Sequence, residues 1–301
     1  MRRSLTILSA LSAGLVAEAN ETLWVYGVNE QTGWYYADKV DSSDYNKCWA
    51  AVSANLINWW QAQYVTPSHV PTGEAVWQKY RSNALTNMSN VQVGVDWWWT
   101  GDLADTYEYF GMPAFRSYSS PQYYSSKLGY TEACYVNRTY VEKLGYTVPE
   151  DYVYHVESSN TNLTTYLWNA LQGEARTGVG LNLTGSLMHG ITLWGAEFSD
   201  QYTLQALYVT DSDDNTVNSG GDLNLFRLGV EYRNGQIYLP DYWYGEVKVD
   251  SLTVLDAAAT DAWGMERVYI ELPASSLSVP EPATATLSLL ALAALVARRH
   301  R

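Results

Sequence analysis

Between residues 46 and 64, apolar side chains recur at Trp49, Val52, Leu56, Trp59, Trp60 and Tyr64. That spacing predicts an amphipathic helix, with Asn46 or Asp44 placed to cap its start. Residues 101–110 and 162–171 carry the same periodicity, and the aromatic, Ser-rich and Gly-rich stretch between them reads as mostly loop. From about 178 onward the pattern changes to short runs rich in β-branched and aromatic residues. These lie at 179–183, 191–198, 205–210, 224–232, 236–238, 247–255 and 267–272. Turn chemistry separates several of them, as at Ser199-Asp200, Ser219-Gly220-Gly221 and Asn234-Gly235. Helices followed by a run of antiparallel strands predict an α+β fold, two lobes with a groove between them. No internal repeat, heptad or low-complexity linker interrupts 20–278.

The two ends follow different rules. Residues 1–19 join Arg2 and Arg3 to a short apolar run and an Ala17-Glu18-Ala19 cleavage pattern, which predicts a secretory signal peptide. At the other end, Val279-Pro280-Glu281-Pro282 precedes an apolar run and the basic tip Arg298-Arg299-His300-Arg301. The run is short for a membrane span, and its basic tip would stay on the cytoplasmic side. This tail resembles the PEP-CTERM sorting signal of Gram-negative bacteria. The resemblance implies processing by an exosortase-type membrane enzyme and delivery to the cell surface or beyond, with membrane attachment through this segment alone. A plain C-terminal transmembrane anchor is the other reading. The expected division is therefore a signal peptide at 1–19, a body at 20–278 and a sorting segment at 279–301.

Composition narrows the classes. The chain of 301 residues is 47% apolar and 17% charged, which favours a packed core over disorder. Its net charge is −14, and the body alone carries 13 Lys+Arg against 30 Asp+Glu, so nucleic acid is excluded as an expected partner. Thirteen Trp and 25 Tyr suit either a thick aromatic core or a surface that grips sugars or peptides. Two Cys make no disulfide scaffold and no structural zinc motif.

Candidate chemistry begins with Cys48, near the start of the strongest predicted helix, where the helix dipole favours a thiolate. Lys39 and Lys47 would act in the same direction. A disulfide to Cys134, or a buried apolar role, is the alternative. His189 precedes the run at 191–198, and a structural histidine is the plain reading of it. Asp211 follows the run at 205–210 and is placed to accept the second ring N–H of His189. The same acidic stretch also reads as a solvated turn, or as the start of a calcium loop. Against calcium, Thr216 stands where that loop needs Gly and Asp222 where it needs Glu. No Gly-x-Ser-x-Gly elbow, zinc-protease helix, phosphate loop or dinucleotide fingerprint occurs. Thiol chemistry in the chain order Cys, His, Asp is what these exclusions leave.

Three blocks carry a resemblance. They are Gly33-Trp34-Tyr35 leading to Lys39, KCWAAVSANLINWW at 47–60, and HGITLWGAEF at 189–198 followed by ALYVTDSDDN at 206–215. Together they resemble the secreted streptococcal immunoglobulin G-degrading cysteine endopeptidases, the Mac/IdeS-like family. The resemblance implies a papain-like fold, with a helical half carrying the Cys at a helix N-terminus and an antiparallel β half carrying the His and Asp. It implies Cys48 as nucleophile, His189 as general base and Asp211 as the carboxylate that orients it. Asp213 matches a supporting second Asp, and Lys39 a lysine that helps form the oxyanion hole. Lys39 lies one residue closer to Cys48 than in the family pattern, Trp49 replaces a Gly, and Cys134 has no counterpart.

The expected function is an exported cysteine endopeptidase that needs no metal or cofactor and acts on protein substrates, immunoglobulin G among them. Two other functions compete. One is a non-catalytic adhesin or glycan-binding module using Trp97-Trp98-Trp99 and the Tyr-rich stretch 107–130. The other is a thiol-dependent transferase or amidase.

Overall fold

The computed structural model describes residues 20–39, 44, 46–66, 70–82, 91–100, 152–157, 163–200, 203–213, 224–263 and 265–270. Among these residues the helices are α1 (Cys48–Gln61), α2 (Glu74–Ser82), α3 (Val91–Thr100) and α4 (Leu163–Leu171). The strands are β1 (Glu21–Trp24), β2 (Val153–Glu157), β3 (Thr177–Gly185), β4 (His189–Asp200) and β5 (Thr203–Thr210). They continue as β6 (Phe226–Gly229), β7 (Glu231–Arg233), β8 (Gln236–Leu239) and β9 (Val247–Asp256).

All nine strands belong to one antiparallel sheet, in the order β6-β5-β4-β3-β9-β8-β7. Two short strands fill out its long members. β1 pairs with the C-terminal half of β4, and β2 with the C-terminal half of β9. The expectation of a papain-like α+β molecule, with a helical half facing a β half, is corrected by this topology. The architecture is mostly antiparallel β, with short helices laid against one sheet. The physical reason lies in β4, which is buried at every position from His189 to Phe198. A strand covered on both faces is a central strand, so elements must pack on each side of it. On one side Asn55 of α1 donates to the Thr192 hydroxyl at 3.0 Å. Elsewhere on β4, Trp168 of α4 meets Phe198 edge-on, with ring centroids 5.0 Å apart.

Glycines set how closely α1 sits on the sheet. A Cβ added at Gly178 would lie 2.8 Å from the Trp59 ring, and one at Gly180 would lie 2.8 Å from Val52 Cγ1. A Cβ at Gly190 would lie 3.7 Å from the backbone nitrogen of Trp49. The helix start is thereby drawn down beside the residue that follows His189.

Most expected strands form, with differences at their edges. The run at 224–232 splits into β6, which pairs with β5, and β7, which pairs with β8; Val230 between them still donates its N–H to the Gln205 carbonyl of β5, 3.1 Å away. Asn234 (φ 55°) and Gly235 (φ 75°) make the tight turn joining β7 to β8, a conformation that favours Asn-Gly. Of the strand expected at 267–272, the described residues 267–270 form a single bridge, between Arg267 and Tyr64, and 271–272 lie outside the described residues. The helix expected at 101–110 lies outside the described residues.

The antiparallel pairing gathers several chain ends at one end of the sheet. Leu183 pairs with His189, Gly185 with Val247, Leu239 with Val247, and Thr192 with Thr210. The start of β4, the end of β5 and the loop between β8 and β9 therefore meet, and the N-terminus of α1 joins them.

Candidate active site

Cys48 is the first residue of α1; it is half-buried and its thiol is free. The expected side-chain cap by Asn46 or Asp44 does not occur: Lys47 is the capping residue and makes no side-chain cap bond. Asn46 takes a left-handed backbone (φ 65°), and the Lys47 carbonyl accepts from the N–H groups of Ala50 and Ala51. Asp44, fully buried, instead binds Arg81, with Nε 2.9 Å from Oδ1. The Lys47 ammonium donates to the Arg81 carbonyl at 3.0 Å and lies 3.8 Å from Asp44. Lys47 is thus engaged away from the thiol. By helix geometry the first-turn N–H groups have no intrahelical acceptor, so this end of α1 favours negative charge.

His189 Nε2 lies 2.8 Å from Asp211 Oδ1. With that nitrogen engaged, the ring turns Nδ1 toward the other groups, and Nδ1 is 3.6 Å from Asp213 Oδ2. The Cys48 thiol sits beside His189 and the Gly190 backbone, and both act on its charge. Asp211 is fully buried, and three donors meet it. His189 and the Asp213 N–H (2.8 Å) reach Oδ1, and the Tyr242 hydroxyl donates to Oδ2. Asp213 forms an ion pair with Lys39. The segment leading to Lys39 is tied down at two points. The Asp38 carbonyl accepts from Trp77 Nε1 at 2.8 Å, and the Tyr35 carbonyl from the Thr210 hydroxyl at 3.0 Å. All five residues singled out in the sequence, Lys39, Cys48, His189, Asp211 and Asp213, therefore converge.

The electrostatics follow from this geometry. Burial pushes the Cys48 thiol up, but the hydrogen bond and positive charge of His189, then Lys39, outweigh it and bring the thiol below its ordinary value. Burial works against the His189 cation, yet the Asp211 carboxylate and the Cys48 thiolate hold its pKa well above the usual imidazole range. Asp211 is penalised by burial and still held below the ordinary carboxylate value, by His189 first and then by Tyr242 and the Asp213 N–H. Each group ionises because its neighbour does, so thiolate, imidazolium and carboxylate are stable together.

The site also contains residues the sequence reading missed. Tyr242 lies 31 positions beyond Asp211 in an aromatic loop, and nothing in its local pattern links it to the acid. Gly190 contributes a backbone group, for which no side-chain signal can exist. Trp49 turns away from the thiol, buried edge-on against Tyr80 with centroids 6.2 Å apart. Its replacement of a Gly therefore adds no side chain beside the sulfur.

The other sequence candidates lie apart from this cluster. His155 is in β2, paired with Thr253. Trp98 is buried in the core, whereas the side chains of Trp97 and Trp99 and the stretch 107–130 lie outside the described residues. The same holds for Cys134, His69, His300, Asp214, Asn215 and both terminal segments. Ligand atoms of His189, Asp211 and Asp213 lie within 4.8 Å of one another and could bridge a cation. Such an ion would compete with the imidazolium, the Tyr242 hydroxyl and the Lys39 ammonium, which already occupy these oxygens. Among the described residues no helix is long and apolar enough to cross a membrane.

No curated protein matches the chain. A family model described as Mac 1 matches residues 155–237. That stretch runs from β2 into β8 and includes His189, Asp211 and Asp213, but neither Cys48, Lys39 nor Tyr242. The His- and Asp-bearing part of the chain is thus similar to the Mac 1 family.

Proposed function

We propose that the chain is an exported cysteine endopeptidase, its body at 20–278 acting as one catalytic domain. The observation that carries this reading is the buried His189–Asp211 hydrogen bond of 2.8 Å, with a free thiol at a helix N-terminus on the other side of the imidazole. The similarity of 155–237 to the Mac 1 family supports the same chemistry. The Cys48 thiolate attacks the scissile carbonyl, and the carbonyl π electrons move to its oxygen. The Cys48 backbone N–H and the Lys39 ammonium stabilise that oxyanion. Collapse breaks the C–N bond as His189 delivers its proton to the departing amine, leaving an acyl-enzyme. His189, now neutral, takes a proton from water, whose oxygen attacks the thioester; thiolate and imidazolium are regenerated. Asp211 keeps the ring oriented throughout. The terminal segments, a signal peptide and a sorting tail cut by an exosortase-type enzyme, would bring the domain to the cell surface or beyond. Protein is the substrate class, with immunoglobulin G the first to test.

The test incubates the protein with immunoglobulin G and a mixed protein library, with and without iodoacetamide, and reads products by mass spectrometry. Hydrolysed fragments that vanish on alkylation are expected. Cys48→Ala should lower the rate at least about a thousandfold with the fold intact. Cleavage that survives this substitution overturns the reading, and acyl transfer to amines without hydrolysis would make the protein a transferase instead.

A further inference from the structure

Resting on that reading, we infer that Tyr242 is a positioning residue of the active site: its buried hydroxyl pins Asp211 Oδ2, so that Oδ1 stays on His189 Nε2. The phenol is 3% exposed and donates to the carboxylate oxygen that His189 does not use. The two oxygens of Asp211 are thus held from opposite sides, by the start of β4 and by the loop between β8 and β9. A carboxylate gripped at one oxygen can rotate about its own bond; gripped at both, it cannot.

The Tyr242 ring is itself fixed. It stacks on Trp243 with centroids 4.5 Å apart and planes 28° apart, and Trp243 leans on Phe226 of β6 at 5.1 Å. His189 and Tyr242 have centroids 6.4 Å apart, so the aromatic group also covers the buried His–Asp bond. The register explains how it gets there: Leu239 pairs with Val247, which closes the 240–246 loop directly at the end of the sheet where β4 begins. Among the described residues, the charged and titratable groups around Asp211 are His189 from β4, Asp213 from its own loop, Tyr242 and, behind it, Tyr244 from the β8–β9 loop, Lys39 through Asp213 and Cys48 through His189. Tyr242 is the uncharged side chain that donates to Asp211. It fixes the acid without adding a positive charge that would compete with the imidazolium.

The experiment titrates the His189 imidazole by NMR in the full-length protein, which needs no substrate. Wild-type His189 should titrate well above an ordinary imidazole, and Cys48 should alkylate far ahead of Cys134. Tyr242→Phe keeps the stacked ring and removes one hydroxyl. It should move the His189 midpoint down toward the ordinary value and lower kcat about tenfold with KM unchanged, the scale of one hydrogen bond to a charged group. With Asp211→Asn already present, the same substitution should no longer move the midpoint. An unchanged or raised midpoint in Tyr242→Phe, or an equal shift in both backgrounds, overturns the positioning role. An ordinary wild-type His189 with a sluggish Cys48 would instead remove the cysteine-protease reading, and the positioning role with it.

Discussion

At the scale of single residues, Lys39 carries two duties. Its ammonium pairs with Asp213 and also lowers the Cys48 thiol. On the proposed mechanism, Lys39→Ala removes an oxyanion donor, and it leaves Asp213 with its negative charge 3.6 Å from His189 Nδ1. Hydrolysis should fall about a hundred- to a thousandfold, the cost of one oxyanion-hole donor. Steady-state kinetics should place that loss in kcat rather than KM, and a loss confined to KM would assign Lys39 to substrate binding. Cys48, His189 and Asp211 were singled out by residue type and chain order, whereas Asp213 and the oxyanion role of Lys39 came only from the family resemblance. Tyr242 was not legible, because a tyrosine becomes a partner of Asp211 only through a contact 31 residues away in the chain.

At the scale of elements, the contact of α1 with the sheet positions the thiol. Gly180 faces Val52 so closely that an added Cβ would stand 2.8 Å away, and Val91 Cγ1 would be 3.1 Å off. Gly180→Ala must push α1 or α3 outward, at a cost of about 1–3 kcal/mol for overpacking a close contact. Thermal unfolding should show a drop in Tm, and Cys48 should label more slowly as it withdraws from His189. An unchanged Tm would mean that the helix yields freely. The sequence exposed α1 and the longer strands through their periodicity, and the Asn234-Gly235 turn through its residue types. It concealed β1 and β2. Four or five residues carry too little alternation to read, and both strands pair with partners about a hundred or more positions away. The missing α1 cap was hidden for a related reason: Asp44 is drawn to Arg81, 37 residues on, rather than to the helix beside it.

At the scale of the whole molecule, the buried triad links stability and activity to pH. His189 has a raised pKa, so the stability it contributes is complete below the ordinary imidazole value of 6.5 and lost as pH rises through the raised one. Asp211 has a lowered pKa, so its contribution is complete above 3.8 and lost as pH falls through the lowered one. Both contributions are complete together between these two ordinary values. Thermal unfolding across pH should show this stabilisation fading on the alkaline side, and Asp211→Asn should flatten the alkaline slope; an unaltered slope would dissociate the triad from stability. On the proposed function the activity limbs should follow the same groups, the acid limb thiolate formation at Cys48 and the alkaline limb proton loss from His189. What the sequence by itself determined was local: the helix at Cys48, the β-rich second half, and a Cys, His, Asp order that narrows the reaction class. What only the tertiary structure decided was long-range: that one antiparallel sheet replaces two opposed halves, how closely α1 sits on it, and that Tyr242 completes the site. Periodicity and residue type act over a few neighbours and leave a record in the chain, whereas strand order and close packing depend on segments far apart in it.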